Sequence, residues 1–139
     1  MSANTANDRL FVYGTLRRGS GSATHEWLAR RAELVGQAWC QGRLYRIAHY
    51  PGLVASENPG DRVVGEVYRL HDPETILIEL DRYEECGPGF PEPFEYLRSR
   101  LEVTLARGQR CTAWIYLYNR PLKEDARIAS GDFLASMAG

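Results

Sequence analysis

The chain has 139 residues, a formal net charge of −1, three cysteines, 44% hydrophobic residues and 25% charged residues. That length suits one domain, long enough to bury roughly two thirds of its unfolded surface, and no window approaches the ~18 apolar residues that span a bilayer. Balanced charge with no basic stripe argues against nucleic acid and against a membrane as partners, so a soluble protein is expected.

Residues 1–8 have neither a basic n-region nor an apolar h-region and read as a disordered tail, ahead of a single domain over 9–139. Without an export signal the expected location is cytoplasmic, where Cys40, Cys86 and Cys111, odd in number and lacking a Cys-x-x-Cys pair, stay reduced. Leu10-Phe11-Val12-Tyr13 reads as a buried strand that stops at Gly14 and opens into Thr15-Leu16-Arg17-Arg18-Gly19. Glycine leaves its N–H unshielded, so this junction can bring main-chain donors to an anion or an oxyanion; the plain alternative is a tight turn.

A short helix follows over 22–31, with Ser22 or Thr24 as its N-cap. Segments 33–42 and 43–47 alternate apolar with polar and read as two strands with a bend or bulge marked by Gly36 and Gly42. Turns at 49–52 and 58–61 bracket another short strand, and Val63 to Leu70 is the next. On that strand Glu66 shares a face with Val64, Tyr68 and Leu70, and Arg98 or Arg100 is the expected partner for it. Asp72 and Pro73 start a second helix that ends at about Tyr83 or Glu85. Cys86 to Phe94 is a long loop rich in glycine and proline, read as a candidate lid. Segments 95–105 and 111–119 form a hairpin, and Asp132 caps a last short helix. Six or seven strands returning without intervening helices predict an α+β fold: a small, mostly antiparallel β-barrel with two or three flanking helices.

The second helix carries the sharpest chemical signal. At ~100° per residue Ile76, Leu77, Leu80 and Tyr83 fall on one stripe, and Glu79, Asp81, Arg82 and Glu85 point elsewhere. Glu84 lies four residues after Leu80 and seven after Leu77. If the helix persists that far, one carboxylate projects along the apolar stripe, where its pKa rises into the range of a general base. If the helix frays earlier, Glu84 and Glu85 are both solvated. Other constellations carry less. Ser20 stands where a phosphate-binding loop needs lysine, no Gly-x-Ser-x-Gly occurs, and His25, His49 and His71 lack metal-ligand spacing. Trp27, Trp39 and Trp114 read as core or pocket wall.

Tyr13-Gly14-Thr15-Leu16 with Gly19, His25, Gly42-x-Leu44-Tyr45, Tyr50-Pro51-Gly52, Val64-Gly65-Glu66-Val67-Tyr68, Leu80-Asp81-x-Tyr83-Glu84, Tyr96-x-Arg98, Trp114-x-Tyr116-x-Tyr118 and Ile128-x-x-Gly131-Asp132 occur in that order. Together they resemble the γ-glutamyl cyclotransferase-like superfamily over nearly the whole chain after residue 9. The resemblance implies that family's small barrel and an enzyme converting a γ-glutamyl amine or peptide into 5-oxoproline and a free amine. It further implies that Tyr13, Gly14, Thr15 and Leu16 hold the γ-glutamyl group, that Glu84 is the catalytic acid/base, and that no metal or cofactor takes part. Many members carry glycine after that glutamate; here Glu85 follows. The rival reading is a non-catalytic pocket for a small carboxylated metabolite, which a retained acid at position 84 disfavours.

Overall fold

The structure, a computed structural model, describes residues 7–138. Most of the expected tail, residues 1–6, therefore lies outside the described residues. Within the described part of that segment, the Asn7 carbonyl accepts from the Trp114 indole and the Asp8 carbonyl from the Leu70 N–H.

Among the described residues, six strands and three α-helices follow in the order β1 (Arg9–Val12), α1 (Ala23–Ala29), β2 (Ala32–Arg46), β3 (Pro51–Ala55), β4 (Arg62–Leu70), α2 (Pro73–Tyr83), β5 (Tyr96–Leu105), β6 (Arg110–Tyr118) and α3 (Phe133–Ala138), with a 3-10 turn at Glu124–Ala126. The strands run β3-β2-β4-β1-β6-β5, and a further β2–β5 pairing closes five of them into a barrel with β3 as an extra strand. The β1–β6 pairing is parallel and the others are antiparallel, so the barrel is mixed and mostly antiparallel, as its sequence implies.

The expected break at Gly42 is a change of partner inside one continuous strand. β2 pairs with β4 through Gln41 and with β3 from Gly42 onward, and its Ala38–Cys40 stretch closes the barrel against β5. The register shift comes earlier, between Leu34 and Gly36. A single 15-residue strand can serve three neighbours because it is long enough to leave one sheet and enter the next.

The uninterrupted apolar run of β1 is explained by burial on both of its faces. Phe11 joins Cys40, Val67, Val103 and Ile115 in a cluster drawn from all five barrel strands. Leu10 and Val12 face the opposite way, into a second cluster with Leu28 of α1 and Ile76, Leu77 and Leu80 of α2. Close approach at this point needs glycine: a Cβ on Gly65 would stand 2.2 Å from the Val12 carbonyl oxygen. Asp72 caps α2 by accepting from the Thr75 N–H, with Pro73 in the first turn. Tyr83, placed on the apolar stripe by the helical wheel, is instead 51% exposed, because the last turn of α2 overhangs a cavity rather than the core.

Candidate active site

β1 delivers Tyr13, Gly14, Thr15 and Leu16 to one wall of a cavity of about 300 Å³, and the end of α2 delivers Tyr83, Glu84 and Glu85 to another. The segment His49–Pro51, Glu95 just before β5, Tyr96 of β5, Tyr116 of β6 and the Phe11–Val12 end of β1 complete the lining. All five sequence-predicted site residues thus line one cavity. The loop after Cys86 does not: no residue from 87 to 94 is in the lining.

The loop of residues 13–19 is held tightly from behind. The Arg17 N–H donates to the Gly14 carbonyl at 3.0 Å, and the Thr15 carbonyl accepts from both Ser20 and Ser22 hydroxyls. Ser22 also caps α1 by accepting from the His25 N–H, while the His25 ring bonds the Leu16 carbonyl at 3.0 Å. The Gly14, Thr15, Leu16 and Arg17 carbonyls are occupied, whereas the N–H groups of Thr15 and Leu16 have no acceptor among the described residues. Gly14 is needed for space: a Cβ there would meet the Pro51 ring at 2.8 Å.

The opposite wall is aimed by the way α2 stops. The Glu85 N–H donates to the Arg82 carbonyl at 3.1 Å and the Cys86 N–H to the Asp81 carbonyl at 2.9 Å, the paired bonds of a Schellman turn. Glu84 is the last residue in right-handed helical geometry, at φ −84° and ψ 0°, and Glu85 turns over at φ +57°. The stripe of Leu77 and Leu80 therefore does extend to Glu84, and the two neighbouring acids diverge. Glu84 is partly buried at the cavity wall and Glu85 is exposed.

Burial, and then the negative charge of Glu95, push the Glu84 carboxyl up from 4.5 to about 7. Its carboxylate has no hydrogen-bond partner among the described residues. Glu95 and three of the cavity's tyrosines are engaged. Tyr50 donates to Glu95 at 2.6 Å, Tyr96 to the Pro51 carbonyl at 2.6 Å, and Tyr13 to the Tyr116 carbonyl. The bond to Glu95, more than burial, pushes the Tyr50 hydroxyl up to about 12, and burial raises Tyr13, Tyr96 and Tyr116. These tyrosines form a neutral, braced wall around Glu84.

One expected partnership is corrected. Glu66 is not satisfied by Arg98 or Arg100. Its carboxylate accepts from the Arg18 N–H at 2.8 Å and lies 3.8 Å from Arg17 Nε, because β1 sets the loop directly over β4. Asp81, off the apolar stripe as expected, is engaged by the barrel. Arg98 grips it with bonds of 2.8 and 3.1 Å and Tyr116 donates to it at 2.7 Å. That trio fixes the end of α2 to the barrel one turn before Glu84. The tryptophans are not pocket wall: all three are half-buried with an arginine over each ring, and Trp27 and Trp114 pack against the second core cluster. Sequence reasoning passed over Glu95 and Asp81 as site residues. Only the fold brings the start of the long hairpin against α2, and spacing along the chain carries no sign of it. Among the described residues, no group of three His, Cys, Asp or Glu is gathered to hold a metal ion, and no helix is long and apolar enough to cross a membrane.

Known proteins with this arrangement are recognisable by sequence and by fold. A family model described as "Gamma-glutamyl cyclotransferase, AIG2-like" matches residues 10–135. The gamma-glutamylcyclotransferase family protein YtfP of Escherichia coli K12 is 36% identical over 128 residues, covering 91% of this chain and 96% of that protein. A protein named putative gamma-glutamylcyclotransferase from Vibrio cholerae is 36% identical across 89% of this chain and 93% of its own length. Among solved structures, an AIG2-like protein from Mus musculus superposes with a TM-score of 0.65 at 25% identity, covering 86% of this chain and 81% of that one. YkqA from Bacillus subtilis superposes with a TM-score of 0.70 at 28% identity over 95% of this chain and 43% of that longer one. The family model spans both cavity walls and the relatives match almost end to end: the chain belongs to the gamma-glutamyl cyclotransferase, AIG2-like family.

Proposed function

We propose that the protein is a γ-glutamyl cyclotransferase that converts a γ-glutamyl amine or peptide into 5-oxoproline and a free amine, with Glu84 as its general acid/base. The observation that carries this reading is an unpartnered, largely buried carboxylate raised to about 7, lining the same small cavity as two residues whose main-chain N–H groups have no acceptor among the described residues. A cavity of about 300 Å³ suits a ligand of this size.

In this reading the Thr15 and Leu16 N–H groups bind the γ-glutamyl moiety, through its α-carboxylate or through the oxyanion that forms in the reaction. The substrate folds so that its α-nitrogen approaches its own side-chain carbonyl. Glu84, as carboxylate, takes a proton from the α-ammonium. The freed amine attacks, the new C–N bond closes a five-membered ring, and the side-chain amide C–N bond breaks. Two protons leave the α-nitrogen in total, and the departing nitrogen gains two and leaves as an ammonium ion, with Glu84 ferrying them. Holding both ends together exploits the high effective molarity of an intramolecular reaction, and a matched acid/base adds ~10²–10⁴-fold.

The test is a panel of γ-glutamyl amides and peptides followed for 5-oxoproline by mass spectrometry. Release by the native protein and its loss in Glu84→Gln are expected. Full activity in that variant overturns the role given to Glu84, and tight calorimetric binding without turnover of any compound favours a binding module.

A further inference from the structure

Asp81 stands outside the cavity lining, yet both cavity walls lead back to it. On the acid side it precedes Glu84 by three residues, and its carbonyl takes the Cys86 N–H at 2.9 Å in the turn that aims Glu84. Its side chain is held from two strands. Arg98 of β5 grips the carboxylate with Nε and Nη2, and Tyr116 of β6 donates its hydroxyl to the same group. Arg98 and Tyr116 are opposite one another in the β5–β6 register, so one cross-strand pair presents both donors. The Arg98 guanidinium is itself seated over the Trp114 ring, 4.5 Å from its centre.

On the loop side the link is Tyr116 again. Its main-chain carbonyl accepts from the hydroxyl of Tyr13, the residue that leads into the loop carrying the Thr15 and Leu16 N–H groups. One residue of β6 thus meets α2 through its hydroxyl and the binding loop through its peptide. The helix does not need this clamp in order to stay on the barrel: Ile76, Leu77 and Leu80 are buried in the core and Asp72 caps the start. Apolar packing leaves the last turn free to slide and rotate, whereas a forked, two-bond ion pair fixes direction as well as distance.

We infer that Asp81 is a positioning residue for the reaction, holding Glu84 at a set distance from the binding loop through Arg98 and Tyr116. The inference rests on the proposed cyclotransferase reading. Proton transfer works only over a hydrogen-bond length, so moving the Glu84 carboxylate by about an ångström costs rate while leaving the binding loop intact.

The test uses whichever γ-glutamyl compound of the panel yields the most 5-oxoproline. Tyr116→Phe removes one bond to Asp81, keeps the ring and the peptide carbonyl, and changes no charge. It is expected to lower kcat by about ten- to a hundredfold with KM within about twofold of native, and Asp81→Asn to lower kcat at least as far. Arg98→Lys keeps the charge but not the fork and should fall with them, whereas a simple ion pair would tolerate it. In a carbon-13 carboxyl titration, Tyr116→Phe should bring the Glu84 midpoint below that of the native protein, as the freed helix end lets the carboxylate meet water. Glu95, Tyr13, Tyr96 and Cys86, which interact with Glu84 electrostatically, and the ionisable lining groups Glu85 and His49 are unchanged in that variant. Should Asp81→Asn fail to fold, Tyr116→Phe carries the test by itself. Native kcat and an unmoved midpoint in folded Tyr116→Phe, or a loss of stability alone, overturn this inference while leaving the cyclotransferase reading intact. A native protein that releases 5-oxoproline from no compound of the panel overturns that reading and this inference with it.

Discussion

Glu66 and Glu84 are both withdrawn from bulk water, one beneath the loop that follows β1 and the other across the cavity from it. Glu66, 5% exposed, accepts from the Arg18 N–H, lies within reach of Tyr68 at 3.4 Å and is paired with Arg17, which in turn binds Asp132 at 2.8 Å. Asp132 also caps α3 by accepting from the Ala135 N–H. This cluster ties loop, barrel and C-terminal helix together, with the Arg17 guanidinium shared between the Glu66 and Asp132 carboxylates. Glu84 has no such company, only the apolar wall and another carboxylate. A partnered acid is spent on structure, whereas an unpartnered one keeps its affinity for a proton and can exchange it with a substrate.

That contrast can be broken at either end. The largest effect is expected at Glu84: Glu84→Gln lowers 5-oxoproline formation by ~10²–10⁴-fold in single-turnover assays, with far-ultraviolet circular dichroism unchanged. Next is the partnered cluster. Arg17→Met leaves the buried Glu66 uncompensated and lowers stability by about 3–5 kcal/mol in denaturant titrations, in contrast to Glu84→Gln, which does not destabilise. The sign at Glu84 follows from its shift. A carboxyl raised from 4.5 to about 7 makes the folded state bind its proton more tightly than the unfolded state does, so ionisation above pH 7 works against folding. Glu84→Gln is therefore expected to stabilise at pH 8 by an amount on the order of 1–2 kcal/mol, allowing for water in the cavity, and the gain should disappear as pH falls through 7 toward 4.5. The smallest effect is next door. Glu85→Gly relieves the left-handed backbone at φ +57° and should raise stability by ~1 kcal/mol, read as a shift in the denaturant midpoint.

The sequence made one side of this comparison readable and left the other obscure. Helical spacing singled out Glu84 because the signal is local: a capped start at Asp72, an apolar stripe at Ile76, Leu77 and Leu80, and an acid on the same bearing. Strand alternation likewise exposed Glu66 as an acid facing inward. Its partner was misassigned to Arg98 or Arg100 because pairing across a barrel depends on closure, and β1 lies between β4 and β6. The same non-local geometry hid Asp81, whose partners Arg98 and Tyr116 sit on two different strands. Tyr83 misled in the reverse sense: the wheel assumes core opposite every turn, and α2 runs past the edge of the core into the cavity. Gly42 looked like a strand break because glycine marks both a bend and a place where neighbouring backbones come close, and here the strand continues while its partner changes.

The central claim is that the Glu84 carboxyl is enclosed, lacks a partner and is therefore poised near neutral pH. The most direct measurement is an NMR titration of the protein carrying glutamate labelled with carbon-13 at the side-chain carboxyl, with Glu84→Gln identifying the signal. A midpoint at about 7 is predicted for that resonance. A midpoint near the ordinary value of 4.5 would contradict the account, because it would mean that the carboxyl is solvated or held by a partner the structure does not contain.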